Sequence, residues 1–269
     1  MGCTPKGEQR VSLNSYFVTL TYDDSNLSIS DTGFPTLVKT DMQKFLKRLR
    51  KRVEAMPISD YNHHMASSYS SHKAVRDANH GIRYYAVGEY GTRFHRPHYH
   101  LLLFNLPSPV MMQLHTIWSK GHVHVGEINI KTIMYCLSYH ITRDPKASLV
   151  IDRQPEFVTM SRRPGIGHTY IAAKSKWNKQ NEFLYVMNDG FRMRLPRYWK
   201  DKIFTEDERN LLTERLLDKI KEENERLYEE LRRVGYENHD IHHPIDYLHS
   251  LNVKQSERHY KKIIKGQIF

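Results

Sequence analysis

The stretch Arg96-Pro97-His98-Tyr99-His100-Leu101-Leu102-Leu103-Phe104 decides the fold that the sequence predicts. It is typical of a β-strand, whose side chains alternate between the two faces of a sheet. His98 and His100 are one residue apart, so they point to the same face and can bind one divalent metal ion. Tyr99 and Leu101 point to the other face and pack in a core. Neutral imidazole is the commonest protein metal ligand, although half-buried strand histidines also occur for packing.

A carboxylate is expected close to these histidines. Residues 82–89 form a predicted strand, and a turn region over residues 90–96 connects it to the histidine strand. A hairpin of the two strands brings Glu89 close to His98 and His100. Two imidazoles and one carboxylate suit Mg²⁺ or Mn²⁺ bound to a phosphate better than a closed structural zinc site.

A second pair of histidines competes for the metal. His122 and His124 are also one residue apart on a short predicted strand. Glu127 lies three residues beyond His124 and therefore falls on the opposite face if the strand continues. The first pair is favoured by its carboxylate, and spacing alone leaves the second pair open.

The charge of the chain indicates a polyanionic partner. The 269 residues include 41 Lys+Arg and 30 Asp+Glu, and residues 1–204 hold 29 of those basic side chains but only 16 of the acidic ones. A basic domain of this kind most often meets nucleic acid, while a merely soluble basic surface is the ordinary alternative. No run approaches the roughly 20 apolar residues of a membrane span, so no membrane partner is expected. The two cysteines cannot form a disulfide framework.

A helix predicted from residue 130 to about residue 142 carries two tyrosines. Asn129 can cap this helix, and Tyr135 and Tyr139 project away from its apolar stripe together with Lys131. Core packing is the usual role of tyrosines. Here their polar face indicates nucleophiles for phosphodiester chemistry, which need a metal or a cation because the phenol pKa is about 10. The stripe consists of Ile130, Ile133, Met134, Leu137 and Ile141.

The remaining chain adds further predictions. The fold class is α+β, with a central antiparallel sheet, helices on one face and the metal site on the other. A strand over residues 15–22 places Thr19 and Thr21 on one face. Arg162 and Arg163 form a basic loop that suits DNA phosphates, although a solvated turn explains it equally well.

We expect a domain over residues 1–204 with an exposed polar insertion at about 57–80, and a helical extension over 205–269 that opens with a capping box at Thr205.

Three segments in order carry a family resemblance: Phe17-Val18-Thr19-Leu20-Thr21-Tyr22, Pro97-His98-Tyr99-His100-Leu101-Leu102-Leu103-Phe104 and Tyr135-Cys136-Leu137-Ser138-Tyr139. The chain resembles HUH endonucleases of the rolling-circle replication initiator kind, and most closely those of single-stranded DNA phages, the microviruses of the gokushovirus type. The segment from Met160 to Gly167 also resembles one that recurs in these phage proteins. The resemblance covers roughly residues 16–204 and implies an HUH or RRM-like sheet.

The resemblance implies a mechanism. Glu89, His98 and His100 would hold Mg²⁺ or Mn²⁺ against a scissile phosphate of single-stranded origin DNA. Tyr135 or Tyr139 would attack that phosphate, which gives a 5′-phosphotyrosine and a free 3′-OH, and the other tyrosine would cleave after one round. The implied partners are the origin DNA, a host helicase and a host DNA polymerase, in the cytoplasm of the bacterial host. The oligomeric state stays open.

The chain departs from the family at one position. Relatives commonly carry a lysine three residues after a catalytic tyrosine, and this chain has Ser138 and Thr142 there. Lys131 or Arg143 would have to supply the cation. A transposase or relaxase of the same class, and a non-catalytic single-stranded nucleic-acid binder, are the alternative functions.

Overall fold

A computed structural model describes residues 14–78, 80–91, 94–141, 152–188 and 191–233 of the chain. Its first part contains five strands and six helices among these residues, in the order β1 Tyr16–Tyr22, α1 Lys39–Glu54, α2 Ile58–Met65, α3 His72–Asp77, β2 Arg83–Tyr90, β3 Pro97–Phe104, α4 Ser108–Met111, α5 Leu114–Trp118, β4 Gly121–Glu127, α6 Ile130–Ile141 and β5 Phe157–Met160. The remaining elements are α7 His168–Gln180, β6 Tyr185–Asn188, β7 Phe191–Arg194, α8 Arg197–Ile203 and α9 Glu206–Arg233.

The five strands of the first part form one antiparallel sheet with β3 at its centre. The strand order is β4-β1-β3-β2-β5, and every neighbouring pair runs antiparallel. The predicted hairpin of β2 and β3 is confirmed, with Glu89 opposite His98 in the register. The predicted α+β fold is therefore confirmed.

One face of the sheet carries the main hydrophobic core. The alternate side chains of the central strands, among them Leu20, Tyr99 and Leu101, are fully buried there. They pack against α1 through Phe45 and against Trp118 of α5. This arrangement follows from the alternation of side chains along a strand, since every second residue of β1 and β3 is apolar.

A polar network lies within this core. The hydroxyl of Tyr22 donates a hydrogen bond to Asp41 at 2.9 Å and lies 2.8 Å from the hydroxyl of Tyr99. The Tyr99 hydroxyl in turn accepts from the backbone N–H of Val38 at 2.8 Å. Burial raises the pKa of Tyr99 to about 12 and that of Tyr22 still further. Both phenols therefore keep their protons, and their hydrogen bonds satisfy polar atoms that burial would otherwise leave unpaired.

The opposite face is covered in part by α6. A smaller cluster forms there around Tyr85, Val87, Leu102 and Cys136, with Ile133 packed against it. The prediction of helices on one face is therefore incomplete, because α6 lies on the face that carries the two histidines of β3.

The polar segment at 57–80 is not the exposed insertion that its composition predicts. It contains α2 and α3, and Tyr61 and Val75 from these helices are buried in the main core. Each short helix contributes a single buried side chain, so the apolar residues are too few to show a helical period.

The contacts of the chain separate two compact units, Met1–Tyr170 and Ile171–Phe269. The predicted domain boundary at residue 204 stays a prediction, since this division lies earlier in the chain. In the second unit, β6 and β7 form an antiparallel hairpin. The predicted capping box at the start of α9 is confirmed, because Thr205 N–H donates to Glu208 at 2.7 Å and Glu208 N–H donates to the Thr205 hydroxyl at 3.2 Å.

Among the residues that the structure describes, no helix has the length and apolar character needed to cross a membrane.

Replacing Tyr22 by Phe tests the buried network. The variant removes the hydroxyl between Asp41 and Tyr99, so we expect the free energy of unfolding to fall by about 1–3 kcal/mol in urea denaturation. Tyr16→Phe is the matched control, since the Tyr16 hydroxyl makes a half-buried contact of 3.2 Å with Ser108. Its loss should cost about 1 kcal/mol or less. Equal losses in the two variants would contradict a special role of the network.

Candidate active site

Both histidines of β3 are held by threonines of β1. The register places Thr19 opposite His100 and Thr21 opposite His98. Each threonine hydroxyl lies 3.0 Å from Nδ1 of the histidine that it faces. Such a contact to one ring nitrogen fixes the orientation of an imidazole and leaves Nε2 as the nitrogen that can bind a ligand.

Glu89 and His100 form a buried pair. Oε1 of Glu89 lies 2.8 Å from Nε2 of His100, and only 3% of the Glu89 surface is exposed. A buried carboxylate costs free energy unless it is paired. Phe17 of β1 stacks on the His100 ring at 5.7 Å between centroids. The alternation of β1 places Phe17 on the same face as Thr19 and Thr21, so its contact with His100 follows from a pattern present in the sequence, although no role was predicted for this residue.

Tyr135 of α6 reaches this pair. Its hydroxyl donates a hydrogen bond of 2.9 Å to Oε1 of Glu89 and lies 3.4 Å from Nε2 of His100. The rings of Tyr135 and His100 meet edge to face, with centroids 5.0 Å apart. A phenol, an imidazole and a carboxylate from three different elements thus converge at one point.

The orientation of α6 differs from the sequence prediction. The sequence predicts that Tyr135 projects away from an apolar stripe, yet Ile130 and Met134 of that stripe are 68% and 45% exposed while Tyr135 contacts residues of the sheet. Among the described side chains of this helix, those of residues 130–138, only Cys136 is fully buried, and burial raises the pKa of its thiol to about 12. Ile133 and Cys136 pack against the sheet, and Tyr135, 40% exposed, reaches Glu89 with its hydroxyl. The predicted cap is confirmed, with Asn129 accepting from Thr132 N–H at 3.0 Å.

Only some of the other residues predicted on α6 and just after it are described by the structure. The side chain of Tyr139 lies outside the described residues, as do Thr142 and Arg143. Lys131 is exposed and lies one helical turn before Tyr135. Ser138, at the position where relatives commonly carry lysine, donates to the backbone carbonyl of Tyr135 at 2.7 Å.

His98, the third residue of the expected metal triad, lies farther from His100 than Glu89 does. Its ring centroid lies 6.3 Å from that of His100. A Cβ built on Gly91 would lie only 2.9 Å from Nε2 of His98, so this nitrogen faces the backbone of the turn. Among the residues that the structure describes, no three His, Cys, Asp or Glu side chains converge as a metal cage.

Glu89 and His100 nevertheless fit a metal ion. Two neighbouring ligands of an octahedral ion with bonds of about 2.1 Å are roughly 3 Å apart. The 2.8 Å between Oε1 of Glu89 and Nε2 of His100 is close to that separation. Threonine contacts at Nδ1 are also the kind of outer contact that metal-binding histidines make.

The rival pair lies on the edge strand β4. His122 and His124 pair in register with Thr21 and Thr19, so they share the face of the site. Both are exposed. Strand β1 separates them from β3, which places the two pairs roughly 10 Å apart.

The predicted DNA contacts lie in two places. Thr19 and Thr21 are at the centre of the site, where their hydroxyls contact histidines. Arg162 and Arg163 are exposed in the turn after β5, where Arg162 pairs with Gly165 in an isolated bridge. Thr19 and Thr21 therefore lie with the catalytic candidates, whereas Arg162 and Arg163 lie elsewhere, in the turn after β5.

The fold and the site define a protein that presents a helical tyrosine to a carboxylate and a histidine on an antiparallel sheet. Residues 15–144 match the model of a family described as replication-associated protein ORF2/G2P. The replication-associated protein ORF2 of Spiroplasma virus 4 is 30% identical over 235 residues, which cover 80% of this chain and 64% of that protein. The replication-associated protein VP4 of Bdellovibrio phage phiMH2K is 23% identical over 205 residues, or 70% of this chain and 57% of that protein.

These similarities agree with the predicted resemblance to phage replication proteins. Residues 15–144 are similar to the replication-associated protein ORF2/G2P family, and the two relatives are phage proteins named replication-associated proteins. The chain spans less than two thirds of the length of either relative, 64% of one and 57% of the other.

The titration of His98 tests the geometry of the site. Burial, followed by the neighbouring His100, lowers the pKa of His98 below the ordinary 6.5. The native state then binds fewer protons than the unfolded chain, so the contribution of His98 to stability is complete above pH 6.5 and is lost as the pH falls through the folded pKa. We expect NMR titration of the ring nitrogens to give a midpoint below 6.5 for His98. A midpoint at or above 6.5 would contradict its burial beside Thr21.

Proposed function

We propose that this protein nicks and rejoins single-stranded DNA at a replication origin, with Tyr135 as nucleophile, and thereby initiates rolling-circle replication of a phage genome. The observation that carries the proposal is the 2.9 Å hydrogen bond from the Tyr135 hydroxyl to Glu89, beside Nε2 of His100. Core packing, the usual role of a tyrosine, does not explain why this hydroxyl reaches the carboxylate, since Tyr135 is 40% exposed.

The proposed step is a transesterification. The Tyr135 oxygen attacks the phosphorus of one phosphodiester, and the bond from phosphorus to the 3′ oxygen of the preceding nucleotide breaks. The phenol proton leaves toward Oε1 of Glu89, which already accepts it in a hydrogen bond, and the departing 3′ oxygen takes a proton from solvent water. The products are a 5′-phosphotyrosine and a free 3′-OH, so the energy of the phosphodiester is retained for rejoining.

Glu89 and His100 would hold Mg²⁺ or Mn²⁺, with His98 as the third ligand. When bound, such an ion polarises a phosphate oxygen and stabilises the charge that develops during attack. Thr19 and Thr21 keep the two imidazoles in position. Phe17 covers one face of the His100 ring and limits its rotation.

Tyr139 is proposed as the second nucleophile. It follows Tyr135 by one turn of α6, so a modest shift of the DNA would bring the phosphate from one phenol to the other. Lys131 lies one turn before Tyr135 and is proposed to supply the positive charge that a lysine at position 138 provides in relatives. Two tyrosines allow cleavage of the regenerated origin and joining of the displaced strand into a circle.

The replication role is supported by the similar phage proteins, which are named replication-associated proteins. The substrate would be single-stranded origin DNA in the infected bacterial cell. No ATPase motif occurs in the sequence, so strand separation and synthesis are assigned to a host helicase and a host DNA polymerase. The excess of basic residues over 1–204 suits a DNA substrate.

Replacing Tyr135 by Phe tests the nucleophile. When Tyr135→Phe is made in a chain that also carries Tyr139→Phe, we expect adduct formation with a labelled single-stranded origin oligonucleotide and Mn²⁺ to fall at least about a thousandfold, because both attacking oxygens are lost. Binding of the same oligonucleotide should persist. The measurement is the denaturing-gel yield of covalent protein–DNA complex.

Tyr16→Phe provides the control, because Tyr16 lies on the same sheet but its hydroxyl contacts Ser108 away from the site. It should retain full adduct formation. If Tyr135→Phe keeps the adduct while Tyr139→Phe loses it, the nucleophile is misassigned. If the unaltered protein forms no adduct on any single-stranded DNA, the chain is a binding protein and the proposal is wrong.

Mn²⁺ titration by calorimetry tests the metal ligands without any cleavage assay. Glu89→Gln and His100→Ala should each weaken Mn²⁺ binding by about tenfold or more, since each removes a ligand atom. His122→Ala is the matched control, a histidine on the same sheet face, and should leave binding unchanged. Loss of binding in His122→Ala but not in His100→Ala would move the metal to the rival pair on β4.

A further inference from the structure

An open cavity of about 280 Å³ lies away from the candidate active site. It is bordered by the end of α1, by α2 and α3, by the start of β2 and by the turn after β5. Four arginines line it: Arg50, Arg76, Arg83 and Arg163. Of its arginines only Arg163 is among the predicted DNA contacts, and the proposed nicking step does not use this cavity.

The charge of the cavity is strongly positive. Glu54 is the one carboxylate among its lining residues, and it pairs with Arg76 at 2.8 Å. Arg83 donates to backbone carbonyls of residues 81 and 82, which carry no net charge. In the part of the chain that the structure describes, Arg50 and Arg163 have no carboxylate partner. The guanidinium charges of Arg50 and Arg163 therefore have no neutralising carboxylate among the described residues.

The floor of the cavity is apolar. Val53, Tyr61, Val75 and Ile82 line it and are buried. A nucleotide matches this combination, because its base is planar and largely apolar on its faces and its phosphate accepts paired hydrogen bonds from a guanidinium.

The turn that carries Arg163 is anchored to the sheet. The backbone N–H of Ser161 donates to the carbonyl of Tyr84 at 2.9 Å, and the Ser161 hydroxyl accepts from Tyr84 N–H at 3.1 Å. Arg163 is thus presented at the rim from a fixed backbone. Arg83 and Glu89 are six residues apart on β2, so the cavity lies roughly 20 Å along the strand from the candidate active site.

We propose that the arginine-lined cavity is a second contact site for single-stranded DNA, which takes one nucleotide of the strand with its phosphate on Arg50 and Arg163 and its base on the apolar floor. The inference rests on the proposed function for the identity of the polymer, but not on the cleavage chemistry. The site is noncovalent and needs no metal.

The test is the affinity of the full chain for fluorescein-labelled oligothymidylate, measured by fluorescence anisotropy at several salt concentrations in a chelating buffer. Arg50→Gln and Arg163→Gln should each weaken binding about fivefold. Each should also reduce the slope of log affinity against log salt by about 0.7, the value for one phosphate contact on a single strand. Both side chains are exposed, so a thermal melt is expected to show an unchanged fold.

Lys51→Gln is the matched control, because it removes one charge from the same helix at an exposed position that does not line the cavity. It should change affinity by less than about twofold and leave the slope unaltered. If Lys51→Gln weakens binding as much as Arg163→Gln, the contact is a diffuse basic surface and the inference is wrong. Unchanged affinity in both arginine variants would overturn it as well.

Thymidine 5′-monophosphate distinguishes a strand from a free nucleotide. If it binds as tightly as the oligonucleotide and Arg163→Gln weakens both equally, the cavity is a mononucleotide site and the DNA inference is wrong. Adduct formation is scored separately with Mn²⁺. If the chain never forms an adduct but the arginine variants lose affinity for the oligonucleotide, this inference is supported and the nicking proposal is wrong. If the chain forms the adduct but the arginine variants keep full affinity, the nicking proposal is supported and this inference is wrong.

Discussion

The alternation of side chains along β3 is the constraint on which the rest of the structure depends. Its odd-numbered residues, such as Tyr99 and Leu101, fill the main core, while His98 and His100 face the opposite side. A shift of register by one residue would bury two imidazoles in the core and expose the aliphatic residues. Because β3 is the central strand, this requirement also determines the registers of β1 and β2, and with them the positions of Thr19 and Glu89.

A buried carboxylate explains why α6 lies where it does. Glu89 is almost fully enclosed, and its burial is tolerable only with donors at hand. His100 and the Tyr135 hydroxyl provide them at 2.8 and 2.9 Å. The helix packs Ile133 and Cys136 against the sheet and leaves Ile130 and Met134 68% and 45% exposed. Its placement therefore satisfies a buried carboxylate and leaves part of its apolar stripe in solvent.

Much of the fold could be predicted from residues whose pattern reflects local geometry. The β2–β3 hairpin, the strand alternation around His98 and the Asn129 cap depend on neighbours in sequence and are confirmed. The face of α6 could not be predicted, because it depends on Glu89, 46 residues away. The two helices of residues 57–80 could not be predicted for a related reason. Tyr61 and Val75 are buried by tertiary contacts, which leave no helical period of apolar residues in the local sequence.

Strand β2 connects the two regions to which DNA contacts are assigned. Glu89 lies near its end and Arg83 at its start, with Tyr85 and Val87 buried between them under α6. A strand paired on both sides and packed on both faces cannot change its length or twist appreciably. The separation of roughly 20 Å between Arg83, at the proposed nucleotide cavity, and Glu89, which contacts the proposed nucleophile, is therefore constant. If both contacts hold one DNA strand, this spacing selects which phosphate reaches Tyr135, so the sheet itself would set the position of the nick.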